Sequence, residues 1–186
     1  MERKFDQNIH KVGTLGPQGT SSEQAAIHFV QKTLRGKGTI VLKDTFEEVF
    51  TDLTEGTVDY AIVPVAYPGI NQFYMTQYIE DILSYRFDTP VYELVTNKND
   101  IVKTNQVTVA LHPATKPLIP FLCEDYLAVS LVTATSTAVA AKLAKDCKVD
   151  LAITNEESRK RHQLTVLKPW GRIGMSWIVF GNKNFI

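Results

Sequence analysis

Two stretches of this chain are built on one plan. Asp44 to Pro64 reads DTFEEVFTDLTEGTVDYAIVP, and Thr135 to Asn155 reads TSTAVAAKLAKDCKVDLAITN. At a constant offset of 91 positions, Thr45 matches Ser136, Asp59 matches Asp150, Ala61 matches Ala152 and Ile62 matches Ile153. Each stretch opens on a hydroxyl side chain suited to a helix N-cap. Apolar residues follow at helical spacing, and a short apolar run closes the unit. A helix feeding a fully apolar strand is one half of a strand–helix–strand crossover. Two copies of it predict two parallel sheets with crossover helices.

The flanking sequence completes both units. Lys11–Leu15 reads as a strand ending in Gly16-Pro17-Gln18-Gly19-Thr20. Ser21 and Ser22 suit a helix N-cap, with Glu23 and Gln24 in the favourable first turn. Ala25, Ala26, Phe29, Val30 and Leu34 continue the helix until Gly36. Thr39–Leu42 and Tyr60–Pro64 read as strands, with a helix between them that carries Phe46, Val49, Phe50 and Leu53 and stops at Gly56. In the second unit Val107–Leu111, Ala128–Val132 and Leu151–Thr154 read as strands. A helix is predicted over Thr115–Glu124, and another after Ser136 that carries Val139, Ala140, Leu143 and Ala144. The predicted division is a tail over residues 1–10, one lobe from residues 11–86 plus 175–186, and a second lobe from residues 87–174. The chain is expected to cross near Asp88–Tyr92 and to return between Leu164 and Ser176.

In sheets of this kind ligands sit beyond the carboxyl ends of the strands, against helix N-termini. Two facing lobes predict a cleft ringed by helix starts at Thr20–Ser22, Thr45, Thr115 and Thr135–Thr137. Each start favours an anion by about 0.3–1 kcal/mol, which points to a small anionic ligand. Twenty basic residues balance twenty acidic ones, and no basic run occurs, so neither nucleic acid nor an anionic membrane surface is an expected partner. No apolar run approaches the ~20 residues of a membrane span, and Met1–Lys11 has no apolar stretch of the signal-peptide kind. The two cysteines, Cys123 and Cys147, and the four histidines, His10, His28, His112 and His162, show no metal-ligand spacing. A cytoplasmic protein without a metal is expected.

Gly16-Pro17-Gln18-Gly19-Thr20-Ser21-Ser22-Glu23-Gln24-Ala25-Ala26 resembles the opening motif of prephenate dehydratases, GP-x-GT-F-SE-x-A-A. Val58–Pro64 resembles that family's segment before its Glu-Asn-Ser. Thr135-Ser136-Thr137-Ala138 resembles its Ser-Thr-Ala helix start, and Leu151-Ala152-Ile153 its second Ala-Ile strand. The departures point to a sister family. The dehydratase's Thr-Arg-Phe, whose Thr is taken as the acid that helps the ring hydroxyl leave, is replaced by Met175-Ser176-Trp177. Its Glu-Asn-Ser is replaced by Ala66-Tyr67-Pro68-Gly69, and the Phe of its GTFS by Ser21. Gly19–Glu23, Val63–Ile70, Phe73–Met75, Asp88–Tyr92 and Met175–Trp177 together resemble the prephenate decarboxylases of bacilysin, aeruginosin and salinosporamide biosynthesis.

The resemblance implies a two-lobed α/β fold of the type II periplasmic-binding-protein kind, with the active site in the inter-lobe cleft. No regulatory ACT domain is expected. It implies a carboxy-lyase acting on prephenate in specialised-metabolite biosynthesis, and it leaves the oligomeric state open, a homodimer included. A dehydratase expels carbon dioxide and hydroxide together, with an acid beside the hydroxyl. Without that acid the hydroxyl stays, the electrons of the broken bond shift allylically, and a ring carbon takes a proton. The product is a non-aromatic dihydro-4-hydroxyphenylpyruvate, and no cofactor is required. Met cannot donate a proton, so Met175 suits a site that must not aromatise its substrate. Tyr67, His112, Met175 and Ser176 are the candidate catalytic residues, with Tyr74 a further candidate proton donor. Thr20, Ser21, Ser22, Thr135, Ser136, Thr137, Asn155 and Trp177 are the candidate substrate-binding residues, with Arg172 and Lys116 as charge partners. Two other functions fit the same residues: a dehydratase giving phenylpyruvate, and a non-catalytic module that binds a small anion.

Overall fold

A computed structural model describes residues 9–97 and 106–184. Most of the predicted tail lies outside the described residues, and His10 already belongs to the first strand. The chain divides into two compact units. Unit 1 comprises Met1–Gly16, Ser22–Asp88 and Gly174–Ile186, and unit 2 comprises Pro17–Ser21 and Thr89–Ile173. The crossings therefore fall at the Asp88–Thr89 and Ile173–Gly174 bonds. Pro17–Ser21, read from the sequence as part of the first lobe, sits with unit 2 because its polar partners lie there.

Unit 1 is a five-stranded mixed sheet in the order β2-β1-β3-β10-β4. Its strands are β1 (His10–Leu15), β2 (Gly38–Lys43), β3 (Tyr60–Pro64), β4 (Ile79–Asp88) and β10 (Gly174–Asn182). β1, β2 and β3 run parallel, and β10 runs antiparallel between β3 and β4. Helix α1 (Ser21–Lys32) covers one face, packing Ala25, Ala26, Phe29 and Val30 against Val12, Ile62 and Trp177. Helix α2 (Phe46–Glu55) covers the other with Phe46, Val49 and Leu53, and a short α3 (Asn71–Tyr74) adds Phe73. Phe29 and Phe73 are almost wholly buried, worth about 1.5–3 kcal/mol each. The caps read from sequence are present on α2: Thr45 Oγ1 accepts the Glu48 N–H, and Gly56 ends the helix at φ +72°, where only glycine is unstrained.

Unit 2 repeats the plan in the order β7-β6-β8-β5-β9. Its strands are β5 (Tyr92–Thr96), β6 (Gln106–Leu111), β7 (Ala128–Thr133), β8 (Leu151–Asn155) and β9 (Thr165–Gly171). Here β6, β7 and β8 are parallel, and β5 runs antiparallel between β8 and β9. Helix α5 (Thr137–Lys145) lays Ala140, Ala141 and Ala144 on one face, and α6 (Glu156–His162) follows β8 directly. The helix predicted over Thr115–Glu124 is a 3-10 turn (Pro113–Leu118) followed by a single helical turn, α4 (Ile119–Leu122). Pro117 and Pro120 have no N–H to give, so a continuous α-helix is broken there. The two thiols remain free, Cys123 buried and Cys147 exposed.

The 91-residue repeat has a structural meaning at its aspartates. In unit 1 the Asp59 N–H donates to Lys11 O (2.9 Å), and the Lys11 N–H donates back to Asp59 Oδ2 (2.7 Å). In unit 2 the Asp150 N–H donates to Thr108 O (3.1 Å), and the Thr108 N–H donates to Asp150 Oδ2 (2.9 Å). The Thr108 hydroxyl also donates to Oδ2 (2.7 Å) and accepts from the Asp150 N–H (2.9 Å). Each aspartate thus ties the amino end of the last parallel strand to its central neighbour and sets the register.

Replacing Asp150 with Ala strands the Thr108 N–H and hydroxyl, and should cost about 1.5–3 kcal/mol, the worth of hydrogen bonds to a charged acceptor. Asp59→Ala should cost less, because its bond is exposed to water. Urea unfolding of both variants checks the order, and an Asp150→Ala midpoint equal to wild type would show that the register is held elsewhere.

Candidate functional site

The parallel strands of each unit end on the same side as the helix starts they feed. In unit 2, β6, β7 and β8 end at Leu111, Thr133 and Asn155. After β7, Ser136 Oγ accepts the Val139 N–H (3.1 Å) and so caps α5. Thr137 is 7% exposed, and its carbonyl accepts from Thr154 Oγ1 (2.7 Å). Thr135 is exposed. Of this trio, Ser136 has a structural task and Thr135 presents its hydroxyl to solvent.

The Pro17–Ser21 segment is bound to the same end of unit 2, to which it belongs. Thr20 is 4% exposed and its N–H donates to Pro17 O (3.4 Å). Ser21 Oγ lies 3.5 Å from Tyr92 Oη. The Gly19 carbonyl accepts from Asn155 Nδ2 (2.9 Å) and Ser158 Oγ (3.0 Å). Asn155 is wholly buried, and its Oδ1 accepts the Ser158 N–H (2.9 Å). Both ends of its amide thus have partners inside the protein.

His112 stands just past β6. Its Nδ1 accepts the Ala114 N–H (3.3 Å), which leaves Nε2 to carry the proton of the neutral ring. Burial lowers its pKa below the ordinary 6.5. Arg172 is engaged by Glu156, with Nη2 donating to Oε1 at 3.1 Å, while Lys116 is exposed.

In unit 1, Ser22 is 7% exposed in the first turn of α1. Tyr67, beyond the end of β3, donates its hydroxyl proton to Glu47 Oε1 (2.5 Å) and accepts from Gln72 Nε2 (3.2 Å). Its ring lies 4.7 Å from that of Phe46. Burial and the Glu47 carboxylate push the Tyr67 pKa up to about 12, while the same hydrogen bond lowers that of Glu47. Tyr74 is 43% exposed, with its ring packed edge-on against Phe180 at 5.0 Å.

Met175, Ser176 and Trp177 begin β10, which pairs Trp177 with Pro64 at the carboxyl end of β3. Side chains alternate along a strand. Met175 and Trp177 point to the α1 face, where Met175 is half-buried against the core, whereas Ser176 points to the opposite face and is exposed. Trp177 is corrected to a core residue: it is 1% exposed, and its indole N–H donates to Phe87 O (3.0 Å). Its size makes it the largest fully buried side chain of the described residues, and nothing of it is left for a ligand.

Sequence reasoning missed Glu47, Gln72, Ser158 and Tyr92. Glu47 had a weak signal, an acidic residue in the first turn after the Thr45 cap. Ser158 had none, because its partner Gly19 is 139 residues away.

Known proteins bear on this arrangement in three ways. A family model described as prephenate dehydratase matches residues 12–67. A prephenate decarboxylase of Planktothrix agardhii (strain NIVA-CYA 126/8) is 36% identical over 182 residues, covering 94% of this chain and 89% of that protein. One of Bacillus subtilis (strain 168) is 37% identical over 181 residues, covering 93% and 87%. Among solved structures, the prephenate dehydratase of Arthrobacter aurescens in complex with L-Phe matches with a TM-score of 0.70 at 17% identity. That match covers 92% of this chain but 60% of the dehydratase, and it shows a shared fold.

The His112 geometry has a pH consequence. A histidine whose folded pKa lies below 6.5 adds stability that is present above that value and lost as pH falls through the lower folded value. His112→Asn keeps a side-chain acceptor for the Ala114 N–H and does not titrate. Between pH 7.5 and 5 the unfolding free energy of wild type should therefore fall more steeply than that of His112→Asn. Parallel curves in urea titrations would show that His112 titrates alike folded and unfolded.

Proposed function

The chain belongs to the prephenate decarboxylase family, and we propose that it removes the ring carboxylate of prephenate and leaves the ring non-aromatic. The observation that carries this reading is Met175, a half-buried thioether near the start of β10 that has no proton to give and stands where the resemblance to dehydratases sets their Thr. Carbon dioxide leaves, the bonding electrons shift into the ring as an allylic system, and a ring carbon is protonated. The hydroxyl stays because nothing at Met175 protonates it.

The carbon base formed on loss of carbon dioxide is strong, so a weak acid suffices to quench it. A Tyr67 phenol with a pKa near 12 is acidic enough to protonate such a carbon base. Tyr67, the Nε2–H of His112 and water are the sources of that proton in this scheme. Tyr67 must first release its proton from Glu47, which makes the Glu47 carboxylate part of its environment during turnover.

Thr20, Ser21, Ser22, Thr135 and Thr137 are the residues we assign to the substrate carboxylates and ketone, with Ser136 shaping the α5 start as its cap. Ser176 follows Met175 along β10, and its exposed side chain lies on the opposite face of the sheet. The product, a dihydro-4-hydroxyphenylpyruvate, suits a cytoplasmic route to a specialised metabolite of the bacilysin or aeruginosin kind.

Incubation with prephenate followed by proton NMR tests the reading. Vinylic ring signals should persist in the product, with no phenylpyruvate beyond an enzyme-free control. Phenylpyruvate as the main product would make the protein a dehydratase, and saturable binding without turnover would make it a binding module.

Met175→Thr, alone or with Ser176→Arg, should let some phenylpyruvate appear. The yield should be small, because an acid misplaced by about 1 Å loses ~100-fold. An active variant whose phenylpyruvate fraction stays at the control level would remove Met175 as the determinant of the product.

A further inference from the structure

We infer that Asn155 and Ser158 form a clamp that positions the Gly19–Ser21 turn for substrate, and that neither is itself a substrate ligand. The inference rests on the reading that this turn binds a carboxylate of prephenate.

The clamp is a closed set of three hydrogen bonds. Asn155 Nδ2 and Ser158 Oγ both donate to the Gly19 carbonyl, at 2.9 and 3.0 Å. The Ser158 N–H donates to Asn155 Oδ1 at 2.9 Å. That last bond fixes which end of the amide is oxygen and so aims Nδ2 at Gly19. Both side chains are wholly buried, where an unmade hydrogen bond is costly.

Gly19 is fitted to this contact in two ways. Its φ is +93°, a backbone region that side chains disfavour. A Cβ there would also lie 3.0 Å from Ser158 Oγ. Only glycine brings its carbonyl this close.

The attachment extends to both sides. Arg161 Nη1 donates to Gln18 Oε1 (2.8 Å), and Ser21 Oγ lies beside the Tyr92 hydroxyl. The peptide plane between Gly19 and Thr20 is thereby set, its carbonyl held by the clamp and its N–H on Pro17 O. The direction of that plane decides where the first N–H groups of α1 and the hydroxyls of Thr20 and Ser21 point. With Nδ2 on the Gly19 carbonyl and Oδ1 on the Ser158 N–H, the buried Asn155 acts through the turn as a positioning residue.

Two variants separate positioning from general stability. Ser158→Ala removes one donor to Gly19. Asn155→Asp keeps an oxygen to accept the Ser158 N–H, and with it the cap of α6, but has no donor for the Gly19 carbonyl. Hydrogen exchange of the free protein and steady-state kinetics with prephenate are then read together. Amides in the segment 17–24 should exchange roughly tenfold faster in either variant, with α5 and the β6 and β8 strands unchanged. KM for prephenate should rise roughly tenfold while kcat changes by less than about twofold, because a ground-state binding turn has been loosened.

Unchanged exchange in the segment overturns the clamp, whatever the enzyme does. Faster exchange with an unchanged KM overturns its role toward substrate. Loss of protection across the whole chain in both variants makes the pair general stability residues and also overturns the inference. A wild-type protein that does not consume prephenate sinks the functional reading instead, and the exchange result still decides the clamp.

Discussion

A parallel ladder has a weakness at its amino end, where strand N–H groups begin without partners. In both units an aspartate at the mouth of the last parallel strand answers it. Asp59 takes the Lys11 N–H, and Asp150 takes the Thr108 N–H and hydroxyl. A slip of one residue would turn every apolar side chain to the wrong face. Fixing the register here also fixes which residues emerge at the far, carboxyl ends. Tyr67 beyond β3, His112 beyond β6 and Asn155 at the tip of β8 all owe their placement to it.

The carboxyl ends are chemically unlike one another. Unit 2 offers hydroxyls and helix starts with few charges, and several of its polar groups are already occupied as caps. Unit 1 offers a half-buried thioether and a phenol whose proton is held by a carboxylate.

Much of the framework was legible along the chain. The helix over Phe46–Glu55, its Thr45 cap and its Gly56 stop followed from local chemistry, as did the Ser136 cap of α5. The apolar runs of β3 and β8 marked the buried parallel strands. Less legible were β4, β5, β9 and β10, whose alternating or mixed patterns matter only once a neighbouring strand is known. The Thr115–Glu124 segment read as a helix by its apolar spacing, but Pro117 and Pro120 withhold N–H groups and break it into two short turns.

The sequence by itself determined the doubled strand–helix–strand plan and the family. These depend on residue identity and on spacing within some twenty positions, which periodicity and motifs record. Tertiary structure alone decided which candidate side chains remain available. Trp177 went to the core because the strand alternation of β10 turns it inward against α1. Asn155 went to the Gly19 carbonyl, 136 residues away in the chain. Pairings over such distances come from how strands are ordered in a sheet, and no local pattern in the chain encodes them.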